Sequence, residues 1–259
     1  MPPRPSPSPS PEEAIPDGRP RLLLALATAK EYRAALSPLG APAPPPLGQT
    51  ARWRRGGREY LVLVTGVGPV AAALAVGRAL GAAGRELHGL VGLGIAGSFD
   101  LAALPLGGLV AATVEIFPEY GLRGPDGSGG ADRVDARGLR FPQAVIDGRD
   151  VYDRLPLPDP AVAARNMGLT LPEGVVAGPC LTVAGVSATP ERAAALAGEY
   201  RALAESMEGF AVALAGAASG LPGLELRAVS NRVGSRPPAD WDLPGALAAL
   251  GRAAARLFS

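Results

Sequence analysis

Apolar residues fall along this chain in two patterns, and each predicts a different kind of element. Short continuous runs occur at RLLLALAT (21–28), EYLVLVTG (59–66), LHGLVGLGIAGSF (87–99), LGGLVAATVEIF (106–117) and ELRAVSN (225–231). Such runs, with little polar alternation, predict strands buried on both faces. Between them lie longer Ala- and Leu-rich stretches: GPVAAALAVGRALGAAG (68–84), TPERAAALAGEY (189–200), ALAESMEGFAVALAGAASG (202–220) and PGALAALGRAAARLF (244–258). These predict helices. Pro190 and Pro244 stand at first helical positions, where a missing N–H costs nothing, and Thr189 stands as an N-cap. KEYRAALSPLG (30–40) and residues 157–168 predict shorter helices. ARWRRGG ahead of EYLVLVTG predicts two strands joined at Gly-Gly, and GVVAGPCLTVAG (174–185) predicts a strand pair. APAPPPLG (41–48) is a stiff loop, and residues 121–141, rich in Gly, Asp and Arg without a period, predict a long one. No repeat is present, and strands alternating with helices predict an α/β fold on a parallel or mixed sheet.

Composition narrows the function more than the fold. Hydrophobic residues make up 47% of the 259 but aromatics only 5%, so the core is built from Ala, Leu and Val. Lys and Arg total 25 against 24 Asp and Glu, which gives no basic stripe for nucleic acid. Cys180 is the one cysteine and His88 the one histidine, which excludes an intrachain disulfide, the usual zinc sets and a Ser-His-Asp triad. His88, just ahead of a strand, is expected at the surface. The first twenty residues, MPPRPSPSPSPEEAIPDGRP, are expected to be a disordered tail, with 21–259 as one domain. That tail has no apolar core of a secretory signal, and no stretch reaches the roughly 18 apolar residues of a membrane span. A cytoplasmic location is therefore expected.

Three stretches can carry chemistry. GLGIAGSFD (92–100) reads either as a tight turn between core strands or as a ligand-holding turn, because glycines let backbone approach closely. It lacks the dinucleotide G-x-G-x-x-G spacing, as does TGVGPVAAA (65–73). On a helix, ESMEGFAVALA (205–215) puts Glu208 beside an apolar stripe of Met207, Phe210, Ala211 and Leu214. Glu208 is then either a rim charge or a buried acceptor for ligand hydroxyls. In ATAKEYRAAL (27–36), Glu31 falls in the first helical turn, as a complement to the helix dipole or as a base at the sheet edge. Arg232 and Arg236 flank Asn231 at the end of the last strand, and Trp241 is expected to pack the last helix onto the body.

In order along the chain, LALATAKE ending at Glu31, TGVGPVAAA, GIAGSF (94–99), Ser206-Met207-Glu208 followed by FAVA, and Val229-Ser230-Asn231 resemble the purine nucleoside phosphorylase/nucleosidase superfamily. The resemblance implies a three-layer α/β/α sandwich with a twisted mixed sheet, a homo-oligomer, a small nucleoside substrate, and neither cofactor nor metal. It implies that Glu208 and the backbone at Met207 hold the ribose hydroxyls and that Glu31 positions the attacking water. It also implies that Asn231 addresses the purine and that Ala96, Gly97, Ser187 and Ser230 line the substrate site. VEIFPEYGLR (114–123), Phe141-Pro142 and SNRVGSRPPADWDL (230–243) are similar to the futalosine hydrolase branch. That branch implies release of hypoxanthine from futalosine, a step in menaquinone biosynthesis. A carboxamide can donate to a six-position oxygen and accept from a protonated N7, so Asn231 suits a 6-oxopurine, where the adenine-specific nucleosidases carry Asp. Gly92 and Ile95 stand where superfamily phosphorylases place an Arg and a hydroxyl for phosphate, which favours water as nucleophile. The alternatives are a 6-oxopurine nucleoside phosphorylase, a methylthioadenosine/S-adenosylhomocysteine nucleosidase and a non-catalytic nucleoside binder. The G-D-x-F stretch of methylthioadenosine-type nucleosidases is replaced by LTVAGVSAT (181–189), and Arg123, Arg232 and Arg236 are the expected partners of the substrate's acid group.

Overall fold

The computed structural model describes residues 21–83, 86–124 and 133–259; the proposed tail lies outside them. In chain order the elements are β1 (Arg21–Leu26), α1 (Ala29–Ala35), β2 (Thr50–Arg55), β3 (Arg58–Val64), α2 (Pro69–Ala83), β4 (Leu87–Ser98), β5 (Leu109–Ile116), β6 (Leu122–Gly124) and β7 (Arg133–Asp135). There follow β8 (Ala144–Ile146), β9 (Arg149–Val151), β10 (Arg154–Pro156), α3 (Pro160–Asn166), β11 (Val175–Thr182), α4 (Pro190–Tyr200), β12 (Ala204–Ser206), α5 (Gly209–Ala218), β13 (Gly223–Arg232) and α6 (Leu243–Leu257).

Every residue of β1 is buried. Side-chain alternation sends Leu22, Leu24 and Leu26 to one face, into a cluster with Tyr32 and Leu36 of α1 and Ala246, Leu250 and Leu257 of α6. Leu23 and Ala25 face the other way, onto Ala72, Ala75 and Val76 of α2 and Ala211 and Val212 of α5. The result is a three-layer α/β/α sandwich. Full burial of each such Leu contributes about 1.5–3 kcal/mol, which is why continuous apolar runs persist where both faces are covered.

The nine-stranded sheet runs β10-β5-β11-β12-β4-β1-β3-β2, with β13 joining β4 to β5. β4 is the organising strand. It is parallel to β1 as far as Gly92 on one edge and parallel to β13 along Leu90–Ser98 on the other. β12 then pairs antiparallel with Gly97 and Ser98 on the β1 side. Between Gly92 and Gly97 that edge of β4 is unpaired, which opens a crevice in the middle of the sheet.

Several expectations need correction. Residues 202–220 are not one helix: Ala204–Ser206 is a strand between β11 and β4, and α5 begins only at Gly209. The Ala-rich composition favours helix, but backbone pairing on both edges overrides propensity here. The 174–185 stretch is one strand, β11, not a pair. Opposite Pro179, which cannot donate to the ladder, β5 bulges, with Thr113 as its extra residue, and a Cβ on Gly178 would sit 2.3 Å from Leu203. The glycine-rich stretch stays in β4 to Ser98, so it is strand and not turn. The 121–141 segment holds the short β6–β7 pair. His88 is exposed, as expected.

Candidate active site

The crevice beside β4 is a cavity of about 290 Å³. Its wall includes Thr28 and Glu31, Ile95 to Gly97 of β4, Glu205 to Glu208, and Ser230 and Asn231. These come from the C-terminal ends of β1 and β13, where open α/β sheets bind ligands.

Glu31 is placed by local sequence. Thr28 caps α1, its hydroxyl accepting from Glu31 N–H at 3.2 Å, while Glu31 Oε2 accepts from Thr28 N–H at 2.9 Å and from the Thr28 hydroxyl at 2.8 Å. This is a capping box, and it serves both helix and site. Glu31 Oε1 accepts from Ile95 N–H at 3.1 Å, across the unpaired edge of β4. Burial raises the Glu31 pKa above the ordinary carboxylate value, with Arg227 and Thr28 pulling it back and Glu208 adding to the rise.

Glu208 ends the strand-to-helix turn at the N-cap of α5, so it is not within the helix where spacing put it. It is buried, yet its oxygens are met: Oε1 accepts from Gly68 N–H at 3.0 Å and Oε2 from Arg227 Nη1 at 3.2 Å. Gly68 has φ +94°, a backbone that glycine adopts without strain, and this turns its N–H toward the carboxylate. Arg227, itself buried on β13, also binds Glu225 through Nε at 2.7 Å. A Cβ on Gly94 would sit 2.5 Å from Arg227 Nη1 and 2.7 Å from Glu31 Oε1. Gly94 therefore leaves the space in which Glu31, Arg227 and Glu208 meet.

Asn231 owes its direction to a β-bulge. Val229 pairs with Ala96 and Asn231 with Gly97, leaving Ser230 as the extra residue. The Ser230 hydroxyl lies 2.8 Å from Asn231 Oδ1 and 3.2 Å from Ala96 O, and Asn231 Nδ2 donates to Arg232 O at 3.0 Å. One amide N–H and one acceptor site of Asn231 remain for a ligand. A Cβ on Gly97 would sit 2.9 Å from Nδ2, so only glycine leaves this amide its place.

A family model described as the phosphorylase superfamily matches residues 22–259. The chain belongs to that superfamily. It is 37% identical over 206 residues to the futalosine hydrolase of Thermus thermophilus, a match spanning 78% of this chain and 83% of the relative. To the futalosine hydrolase of Streptomyces coelicolor it is 38% identical over 200 residues, 76% of this chain and 77% of the relative. Its fold is similar to that of the 5'-methylthioadenosine/S-adenosylhomocysteine nucleosidase of Helicobacter pylori crystallised with butyl-thio-DADMe-Immucillin-A. That match has TM-score 0.66 and 18% identity, and covers 92% of this chain and 96% of the other.

Within this superfamily fold the site departs from the sequence expectations in several places. Ser187 does not line the cavity; it is buried behind it, giving its N–H (2.9 Å) and hydroxyl to Glu205, which does line it. Trp241 stands at the cavity wall, with its backbone bridged to Asn231 and its indole N–H donated to Ser235 O at 2.9 Å. It is partly exposed and lies outside the apolar cluster that seats α6 on the sheet. Arg123, Arg232 and Arg236 are exposed, and none lines the cavity; Arg232 faces Asp240 at 3.7 Å. The cation at the mouth is Lys30, the chain's single lysine, which has no ion-pair partner among the described residues. Val67, Trp241, Leu243 and Leu247 line the same cavity. Arg227, Lys30 and Glu205 were missed. The signal for Arg227 was present, since Glu225 and Arg227 are charges two apart in an otherwise apolar strand and so share one face.

Proposed function

We propose that this chain hydrolyses the N-glycosidic bond of futalosine, releasing hypoxanthine and the corresponding sugar. The observation that carries this is Asn231: a buried carboxamide with one donor and one acceptor to spare, lining the same cavity as Glu31 and Glu208. Cleavage builds positive charge on the ribosyl carbon and negative charge on the base. Glu31 holds a water on the far face of the sugar and takes its proton as the new bond forms; burial, by raising its pKa, strengthens it as a base. Glu208 accepts from the ribose hydroxyls through the lone pairs that Gly68 and Arg227 leave. Asn231 donates to the six-position oxygen and accepts from N7–H once N7 has taken a proton from solvent as the bond breaks; Glu31 returns the proton it took from water to solvent, which closes the balance. The kinship to futalosine hydrolases supports the substrate.

Water is favoured over phosphate by charge. Glu31, Glu205 and Glu208 line the cavity while no arginine does, and Arg227 behind it is held between Glu225 and Glu208. No β4 side chain replaces the phosphate-binding cation: the strand brings Ile95, Ala96 and Gly97 to the cavity. The test is base release from futalosine, inosine and methylthioadenosine, each with and without phosphate. Hypoxanthine from futalosine, indifferent to phosphate, supports the reading; inosine cleavage only with phosphate overturns it.

The substrate's acid group is assigned to Lys30, an exposed cation lining a cavity that Val67, Trp241, Leu243 and Leu247 also line, apolar residues suited to an aromatic acid. Lys30→Met should raise KM for futalosine by about tenfold, the value of one partly exposed charge-assisted hydrogen bond, and leave inosine kinetics unchanged. Equal effects on both substrates would remove this assignment. Asn231→Asp should shift preference from 6-oxopurine toward adenine nucleosides by on the order of 10–100-fold, read as the ratio of kcat/KM values, because an unpaired buried group costs about 1–3 kcal/mol. An unchanged ratio would contradict its reading role. Beside the mouth, Leu47, Val67, Val70 and Leu74 are exposed together, Val70 at 82%, which supports a homo-oligomer formed over that face. The absence of a helix long and apolar enough to cross a membrane among the described residues is compatible with a cytoplasmic enzyme of menaquinone biosynthesis.

A further inference from the structure

Behind the cavity wall the charges do not balance. Glu31, Glu208, Glu225 and Glu115 are all buried around a single guanidinium, Arg227. Arg227 is committed to Glu225 and Glu208 by direct contacts. Glu115, on β5, makes no contact with it; its Oε2 accepts from Thr182 Oγ1 at 2.8 Å, and that hydroxyl in turn accepts from Phe210 N–H at 2.6 Å. Glu115 Oε1 is fully enclosed and meets no donor among the described residues. A second carboxylate stands beside it: a Cβ on Gly209 would sit 2.3 Å from Glu225 Oε2 and 2.7 Å from Glu115 Cδ. Gly209 is the slot in which the two acids meet. Two ionised carboxylates at such a separation, out of water, cannot both persist, and one takes a proton.

We propose that Glu115 is held as a neutral acid that donates its proton from Oε1 to Glu225, and that the pair's one negative charge fixes Arg227 against Glu208 and Glu31. Glu115 and Glu225 are positioning residues, acting on the reaction through Arg227. The groups facing the pair are Arg227 on β13, Thr182 and Cys180 on β11, and Glu208 at the start of α5, with Glu31 of α1 beyond Arg227. Burial and the neighbouring Glu225 hold the Glu115 pKa well above the carboxylate range, and burial pushes the Cys180 thiol up, so that it adds no charge. The hydrogen bonds also fix the proton's place. Thr182 Oγ1 accepts from Phe210 N–H, and Glu115 Oε2 is the acceptor its own proton finds among the described residues, so Thr182 donates to Oε2 and Oε1 is the protonated oxygen.

A neutral acid can be replaced by an amide. In Glu115→Gln the carbonyl accepts from Thr182 and the NH₂ donates to Glu225, reproducing every contact. Glu225→Gln removes the charge that holds Arg227. The kinetic arm rests on the hydrolase reading above; the spectroscopic arm does not. Glu115→Gln should keep kcat within about threefold and leave the pH–rate profile in place, whereas Glu225→Gln should lower kcat on futalosine by about 30-fold or more with little change in KM. Glu225→Asp, which keeps the charge, should recover part of that loss and covers the case in which Glu225→Gln does not fold. In the infrared spectrum at neutral pH, the wild-type minus Glu115→Gln difference should contain a protonated-carboxyl C=O band. Absence of that band overturns the proposal whether or not any nucleoside is cleaved. So does a folded Glu115→Gln protein that loses as much kcat as Glu225→Gln. If the band is present and no nucleoside is hydrolysed, the functional reading fails and the acid pair stands.

Discussion

Replacing Glu31 by glutamine should lower kcat on futalosine by about 10²–10⁴-fold, the range of a lost general base, while the protein keeps its fold. The amide cannot take a proton from water. It also presents an NH₂ where Oε2 now accepts from Thr28 N–H, so some loosening of the first turn of α1 is expected. The pH profile gives an independent check. Glu31 acts in its ionised form, and its folded pKa is raised, chiefly by burial. Wild-type activity should therefore fall on the acid side along a limb above the ordinary carboxylate value, and residual Glu31→Gln activity should lack that limb. The stability sign is opposite. With its folded pKa raised, Glu31 stabilises the fold fully below its unfolded pKa, and that contribution is lost as pH rises through the folded value. A neutral residue there does not suffer this loss. Circular dichroism melts of both proteins across the same pH range would show it. A mutant retaining wild-type kcat would remove Glu31 from the chemistry.

The second large effect is expected at Glu208. Glu208→Gln should reduce kcat/KM by about 10²–10³-fold, since the hydroxyls it holds gain acidity as the ribosyl cation develops. The carboxylate now accepts from both Gly68 N–H and Arg227, so an amide must turn its NH₂ toward one of these donors. Arg227 would lose one of its two ion-pair partners, which predicts a melting temperature lower than the wild type's as well as the kinetic defect. Steady-state kinetics at saturating and limiting substrate separates the two contributions. Unchanged kcat/KM in a folded mutant would rule out the ribose-anchor role.

The layered fold could be read from the chain because both-face burial leaves continuous apolar runs, and β1, β3, β4 and β13 carry such runs. Glu31 was visible because its place, in the first helical turn after a buried strand, is local in sequence. Glu208 was visible as a charge in apolar company, although its setting was misread. The Ala-rich 202–220 stretch has helical propensity throughout, and only pairing with β4 and β11 makes Ala204–Ser206 a strand. That pairing depends on residues about 100 positions earlier in the chain, Gly97 and Ser98, which no local pattern contains. Ser187 lies behind the site for the same reason: its partner, Glu205, is fixed by that strand. Lys30, at helix spacing, is just another exposed charge. Only the cavity wall shows that it lines the site.

The central claim is that water, held by Glu31, takes the ribosyl carbon from a departing 6-oxopurine. It is tested most directly by turning over futalosine in heavy-oxygen water, with and without phosphate, and weighing the sugar product. The account predicts one heavy oxygen at the anomeric carbon per turnover and the same rate in both mixtures. A sugar phosphate formed only when phosphate is present, without the heavy label at that carbon, would contradict it.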